Sequence, residues 1–257
     1  MKSEIRVGGE LWLADYDKPY HGKDPYFYNP NEYAWVRYVE DNWETIRDEF
    51  LSIVTVNHDD FMPYPDLEKT DKKDAWHTAG LMYWTQKSKK IISRFPKTWA
   101  IMRKVPNISS CSFHLLEPHS TIKPHIGDTN VMLRCHIGIV IPAQAPRCGI
   151  RVGKETQCWE EGKILIFNDA HEHTAWNNTD KNRYVMSFDV MRPEFVKKRH
   201  WVASQVLGKI FVEVAYQHLA PLKKYLSANW IKNILFFLSK NSFRAMIAIR
   251  SAMYRNV

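Results

Sequence analysis

A chain of 257 residues, 45% of them hydrophobic, can bury a large core and reads as one elaborated domain. Its formal net charge of +8 sits almost wholly at one end: no acidic residue follows Glu213, while Lys223, Lys224, Lys232, Lys240, Arg244, Arg250 and Arg255 do. These basic residues are not interleaved with strand-borne aromatics, which argues against nucleic acid. An apolar run such as Ile234–Leu238 is far short of a membrane span, and the charged opening Met1–Arg6 is unlike a cleavable leader. Cytoplasmic residence with reduced thiols is the resulting expectation.

Residues 1 to about 107 read as a mixed, mainly helical lead-in packed on a core. Amphipathic helices are expected around Tyr33–Val54 and Ala79–Phe95. Between them Asp59–Asp74, rich in Pro, Asp and Lys, reads as a surface loop that could border a substrate entrance. From 108 to 195 the pattern becomes that of strands. In Met132–Ile141 one face carries Leu133, Cys135, Ile137, Ile139 and Ile141, the other Met132, Arg134, His136, Gly138 and Val140. Such alternation predicts a strand with one face in apolar core. Taken alone, Arg134 and His136 read as a solvated edge; beside the residues described next, they read as pocket lining.

Those residues are His125, His173 and Arg183. Two well-separated imidazoles suit a redox-active iron better than a structural zinc, which favours four ligands in closely spaced pairs. An arginine just beyond the second imidazole suits a small dicarboxylate, because the guanidinium fork grips a carboxylate with two hydrogen bonds. Asn177–Asp180 is a strong turn signal, so a hairpin centred near Asn178 is expected to set His173 opposite Arg183. His171 would share a face with His173 and reads as a rim group. His21, His58, His77, His119, His200 and His218 lack ligand spacing. Cys111, Cys135, Cys148 and Cys158 lack paired C-x-x-C spacing; Cys135 reads as strand core, and nothing requires a Cys148–Cys158 disulfide.

From about 196 onward the chain reads helical and basic. Ile231, Ile234, Leu235 and Leu238 follow helical spacing, as do Ala245, Ile249, Ala252 and Met253. Such a pair of helices can lie on an anionic membrane surface or pack on the core with its lysines exposed; the sequence leaves both open.

The segment Phe113–Phe195 resembles the catalytic domain of the aspartyl/asparaginyl β-hydroxylase family. The likeness is carried by Pro124-His125-x-Gly127-x-Thr129-Asn130, Leu133-Arg134-x-His136-Ile137-Gly138, Val140-Ile141-Pro142 and Trp159-Glu160-Glu161-Gly162-Lys163-x-Leu165-x-Phe167-x-Asp169. It continues through Glu172-His173-x-x-Trp176, Arg183 and Asp189-Val190-x-x-Pro193-Glu194, with Asn42-Trp43-x-x-Ile46-Arg47-Asp48-Glu49 and Phe95-Pro96-Lys97-Thr98 upstream. The resemblance implies a mainly β core with flanking helices, a double-stranded β-helix (jelly roll, cupin-like). It implies iron(II), 2-oxoglutarate as co-substrate and O2, with ascorbate supportive. His125 and His173 would hold the metal. Arg183 would clamp the far carboxylate of 2-oxoglutarate, with Arg134 and His136 at its C1 end. The acid expected two residues after His125 is Gly127, a departure the family shares, with water in the missing place; Asp128 is not counted as a ligand. His114 stands where members often have a serine beside the arginine, and an imidazole N–H could make the same bond to the far carboxylate. Met132 stands where peptide-hydroxylating members tend to have an arginine, which weakens the case for an aspartyl substrate.

Three functions are therefore expected in competition. The leading one is hydroxylation of an unactivated C–H, the β-carbon of an aspartyl or asparaginyl residue or of a related amino acid, and the other two are alternatives to it. Another is the same chemistry on a bacterial membrane-lipid acyl chain, of lipid A or ornithine-lipid type, with the protein peripheral on the membrane. The third is a non-catalytic jelly-roll binding protein.

Overall fold

The computed structural model describes residues 9–14, 19–54, 60–66, 69–218 and 229–253. Met1–Arg6, His58, Asp59, Lys223, Lys224 and Arg255 lie outside them. Two compact units are present, Met1–Glu194 and Phe195–Val257.

The first unit carries twelve described strands. They are β1 (Phe27–Tyr28), β2 (Met62–Pro63), β3 (Trp76–Tyr83), β4 (Gln86–Lys87), β5 (Ile108–Leu116) and β6 (Ser120–His125). After them come β7 (Met132–Val140), β8 (Cys148–Val152), β9 (Glu155–Gln157), β10 (Ile164–Phe167), β11 (His173–Asn177) and β12 (Arg183–Met191). Eight form a large sheet in the order β1-β10-β7-β12-β5-β3-β2, with β4 beside β3; the other four form a small sheet, β6-β11-β8-β9. All pairings between these strands are antiparallel.

Strand alternation splits the large sheet into two chemically different faces. Leu133, Cys135, Ile137 and Ile139 of β7 and Met186 and Phe188 of β12 join one core with Val36, Ile46, Phe50, Phe95 and Met102 of the helical segments. Leu116, Phe167 and Val185 on the opposite face join a second core with Ile122, Ile150, Val152 and Ala175 of the small sheet. Each fully buried large apolar side chain contributes about 1.5–3 kcal/mol. The fold is a jelly roll, and the β7 alternation is as expected: its second face looks into the roll and not to solvent. β12, paired to both β5 and β7, is buried at every position.

Three local expectations are corrected. The helix expected over Tyr33–Val54 is two, α1 (Ala34–Glu40) and α2 (Trp43–Val54). The Asn42 side-chain amide donates to Tyr38 O and satisfies a carbonyl at the end of α1. Ala79–Phe95 is not a helix: residues 76–83 are β3, and only α3 (Lys89–Arg94) is helical, followed by α4 (Pro96–Met102). Ala79 and Leu81 are buried at strand spacing, and Trp84 and Thr85 take positive φ in the turn to β4. The hairpin expected at Asn178 does not form, because β11 and β12 belong to different sheets. Asn177 Nδ2 donates to Leu116 O, Glu117 O and Lys181 O, and Thr179 Oγ1 donates to Asn177 Oδ1. These bonds satisfy the link between sheets, so no ladder is needed there.

The second unit contains α5 (Arg199–His218) and α6 (Asn229–Met253). They meet where α5 has a glycine. A Cβ on Gly208 would lie 2.8 Å from Lys240 Cα, and Ser239 Oγ donates to Gly208 O at 3.0 Å.

Candidate active site

His125 ends β6 and His173 begins β11, and the two are register partners across the small sheet. Their ring centroids are 4.2 Å apart. Each ring is oriented by the main chain two residues before it. His125 Nδ1 donates to Lys123 O at 2.7 Å, and His173 Nδ1 donates to His171 O at 3.0 Å. Both Nε2 atoms therefore carry a lone pair, the form a metal requires. Burial, with Lys69 and Arg134 nearby, lowers the His125 pKa to about 3. Burial and the neighbouring His125 push His173 well below its ordinary value as well. Both rings are neutral at physiological pH.

Gly127 is the reason a third side chain is absent beside them. A Cβ there would fall 2.4 Å from Asp169 Oδ2, so the Asp169 carboxylate fills the space a residue-127 side chain would take. Gly127 N also donates to Asp169 O. Among the described residues, no three His, Cys, Asp or Glu side chains form a metal-binding group. Asp169 is buried, which raises its pKa to about 6 against the opposing pull of Arg134.

Arg134 lies on the inner face as expected, but its bonds are taken. It donates from Nε and Nη2 to both Asp189 oxygens at 2.8 and 3.1 Å and pairs with Asp169 at 3.2 Å. Asp189 is its register partner on β12. His136 accepts from Trp159 Nε1 on Nδ1 at 3.1 Å, so its Nε2 carries the proton. Burial, reinforced by His114 and Arg183, holds His136 well below its ordinary pKa and neutral.

Arg183 is 1% exposed, and its Nε is buried without a hydrogen-bond partner. Its guanidinium lies over the Trp159 ring, 4.5 Å from the centroid. Burial lowers its pKa from 12.5 to about 10. Trp159 bonds His136, His136 packs on Phe167 at 4.9 Å, and Phe167 packs on His173 at 5.9 Å. One wall thus runs from the unpaired cation to the imidazole pair, although the two were expected to meet across a hairpin. Sequence reasoning assigned no role to Trp159, Phe167, Asp169 or Asp189; each stood within a quoted motif, but only their contacts reveal what they do.

His114 is on the same face, opposite Val185 of β12. Its Nδ1 accepts from Trp76 Nε1 at 3.0 Å, so Nε2 bears the proton and donates to Ser112 Oγ at 2.7 Å. Both nitrogens are engaged, and the N–H expected for a co-substrate carboxylate is directed at Ser112. Burial lowers the His114 pKa to about 3. Tyr64 stacks on Trp76 at 3.6 Å, and Asp71 bonds Thr121 of β6 through both N and Oδ1. The described part of the loop before β3 is therefore pinned to the strand that ends at His125. His171 faces Tyr20 and Tyr26 and donates to Asp24 O, so it anchors the amino-terminal segment. The four cysteines are free thiols.

Residues 40–193 match the family model described as aspartyl/asparaginyl beta-hydroxylase. The chain belongs to this family. A relative is the ornithine lipid ester-linked acyl 2-hydroxylase of Rhizobium tropici, 34% identical over 174 residues, covering 66% of this chain and 62% of that protein. Another is the human aspartyl/asparaginyl beta-hydroxylase, 33% identical over 169 residues, covering 64% of this chain but 22% of that protein. The Xenopus tropicalis aspartate beta-hydroxylase domain-containing protein 2 is 27% identical over 196 residues, covering 73% of this chain and 51% of its own. The chain thus spans about three fifths of the first relative and about a fifth of the human one. Among the described residues, no helix is long and apolar enough to cross a membrane.

Proposed function

We propose that this chain is an iron(II)/2-oxoglutarate-dependent dioxygenase that hydroxylates an unactivated C–H bond. The observation that carries the reading is Arg183, a buried cation without a carboxylate partner, joined by one aromatic wall to two neutral imidazoles whose Nε2 atoms are free. A buried guanidinium left unpaired is costly, and a dicarboxylate reaching from it toward the imidazoles would relieve that cost. The donor set fits iron: two nitrogens leave several positions for water and co-substrate. His125 and His173 would hold the metal, Arg183 the far carboxylate, and the His136 N–H would serve the near end. Iron and 2-oxoglutarate with O2 supply the oxidising chemistry, while this chain orients the reactants and keeps water out. Asp169, held by Arg134, fills the space beside Gly127.

For the substrate, two observations favour an acyl chain over an aspartyl side chain. Met132 is buried, its sulfur accepting from Ser109 Oγ, and Arg134 is neutralised by two carboxylates. Neither offers a free cation for a substrate carboxylate. The Rhizobium tropici relative, named for acyl hydroxylation, supports the same preference. Hydroxylation of aspartyl or asparaginyl β-carbons is the second reading, supported by the human relative. The test is succinate release with iron, ascorbate and 2-oxoglutarate, using ornithine lipid and an aspartyl peptide as separate prime substrates. A one-oxygen mass gain on the lipid is expected. A gain on the peptide alone would overturn the substrate preference, and no 2-oxoglutarate binding would overturn the whole reading.

A further inference from the structure

Helix α6 carries its apolar stripe on the wrong side for a packed core. Trp230, Ile234, Phe237, Leu238 and Ile249 are 65, 49, 59, 56 and 60% exposed. At 100° per residue they fall within an arc of about 120°. The helix side turned to α5 is the opposite one. It carries buried Ser239 and Ile247, with Ser239 bonded to Gly208 and Phe243 edge-on to Phe211 at 6.1 Å. The close approach at Gly208 fixes that rotation, so the stripe cannot turn inward without parting the two helices.

We infer that this outward stripe docks α6 lengthwise on an anionic lipid surface. The charge on the helix selects the partner. Arg244 borders the stripe and Lys240 stands beyond it on the same flank, Lys232 and Arg250 lie toward the α5 side, and no Asp or Glu occurs on α6. Two copies meeting stripe to stripe would set two wholly basic helices side by side, their Arg244 flanks included, with no acid on either to offset them. An anionic leaflet attracts the same charges while taking up the apolar side chains. Lys240 stands between the α5 side and the stripe's edge, its Nζ 5.0 Å from the Phe236 ring centroid and 5.7 Å from that of Phe237. Extended from there, its ammonium can reach headgroups at the border of the stripe. The surface fits an enzyme whose substrate is a lipid acyl chain, but it does not depend on the iron chemistry.

The experiment uses the full chain and sedimentation with vesicles of phosphatidylglycerol in phosphatidylcholine, against phosphatidylcholine alone. Binding to the anionic vesicles is expected, weakening about tenfold or more as salt rises past the point where surface charges are screened. Ile234→Ser with Phe237→Ser should reduce it about tenfold or more, and Lys240→Glu with Arg244→Glu should abolish the preference for anionic vesicles. These side chains are exposed except Lys240, which is half-buried, so circular dichroism and melting temperature should match the parent and exclude misfolding. Undiminished binding by the serine variant, or none by the parent, would overturn the inference. So would a parent dimer that becomes monomeric in the serine variant, since the stripe would then belong to a second copy. Stabilisation by 2-oxoglutarate, measured on the same samples, reports separately on the active-site reading.

Discussion

Replacing Arg183 with methionine should move stability and co-substrate binding in opposite directions. Burial holds this guanidinium down from 12.5 to about 10, and at about 1.4 kcal/mol per pH unit the penalty is on the order of 3 kcal/mol. Its stacking over Trp159 returns about 1–2 kcal/mol. Methionine keeps most of the volume and removes both effects, so the ligand-free variant should be more stable by about 1–2 kcal/mol. That corresponds to a melting temperature higher by roughly 2–8 °C for a chain of this size. The parent should gain about 2.7 kcal/mol from 2-oxoglutarate at one hundred times its Kd. The variant should gain none at that concentration, because losing the charged partner of a buried carboxylate costs about 3–5 kcal/mol, more than a hundredfold in affinity. Melts with and without 2-oxoglutarate, in the presence of manganese to prevent turnover, supply both numbers. A ligand-free variant less stable by 2 kcal/mol or more, together with full stabilisation by 2-oxoglutarate, would refute the reasoning and make Arg183 a structural cation.

Other substitutions follow from contacts already described. His173→Ala should lose stoichiometric iron, measured by metal analysis after desalting, while its circular dichroism stays unchanged; retained iron would remove His173 from the ligand set. Gly127→Ala should displace Asp169 and lower stability by about 1–3 kcal/mol, read by denaturant melts, because a Cβ would meet the carboxylate at 2.4 Å. For the same reason a supplied carboxylate at 127 should require Asp169→Gly as well. Gly208→Ala should part α5 from α6, and hydrogen exchange there should quicken while exchange in β12 does not. The pH dependence has a definite sign: His114 is held at about 3, below its unfolded value near 6.5, so the unfolded chain binds the proton first. Its contribution is present above about pH 6.5 and is lost as pH falls toward 3. His114→Gln should therefore flatten the fall in melting temperature between pH 6.5 and 4.5.

Legibility in the sequence followed the range of the interactions. β7 was readable because Leu133, Cys135, Ile137 and Ile139 alternate within one strand, and alternation is a local property. The pairing of His125 with His173 was suggested by chemistry and by family likeness. Their actual contact depends on β6 and β11 sharing a register, which no spacing along the chain encodes. The hairpin failed for the same reason: in a roll, strands adjacent in sequence can enter different sheets, and the Asn177 amide makes that crossing self-sufficient. β3 was misread because Ala79, Leu81 and Met82 satisfy both periods over so short a run. The α6 stripe was seen as a pattern, but a pattern does not say whether its partner lies in the same chain.

The main-chain bonds that orient His125 and His173 have a consequence for how this site can change. In many metal sites the second ring nitrogen is held by another side chain, so the ligand and its support must vary together. Here each ring is held by a carbonyl of its own chain two residues upstream, and any residue at 123 or 171 supplies that atom. The orientation of the imidazole pair is thereby uncoupled from the identity of its neighbours. Positions around the pair can exchange one side chain for another without resetting the tautomer of either ring. Mutagenesis of the surrounding wall can therefore proceed with the imidazoles left untouched.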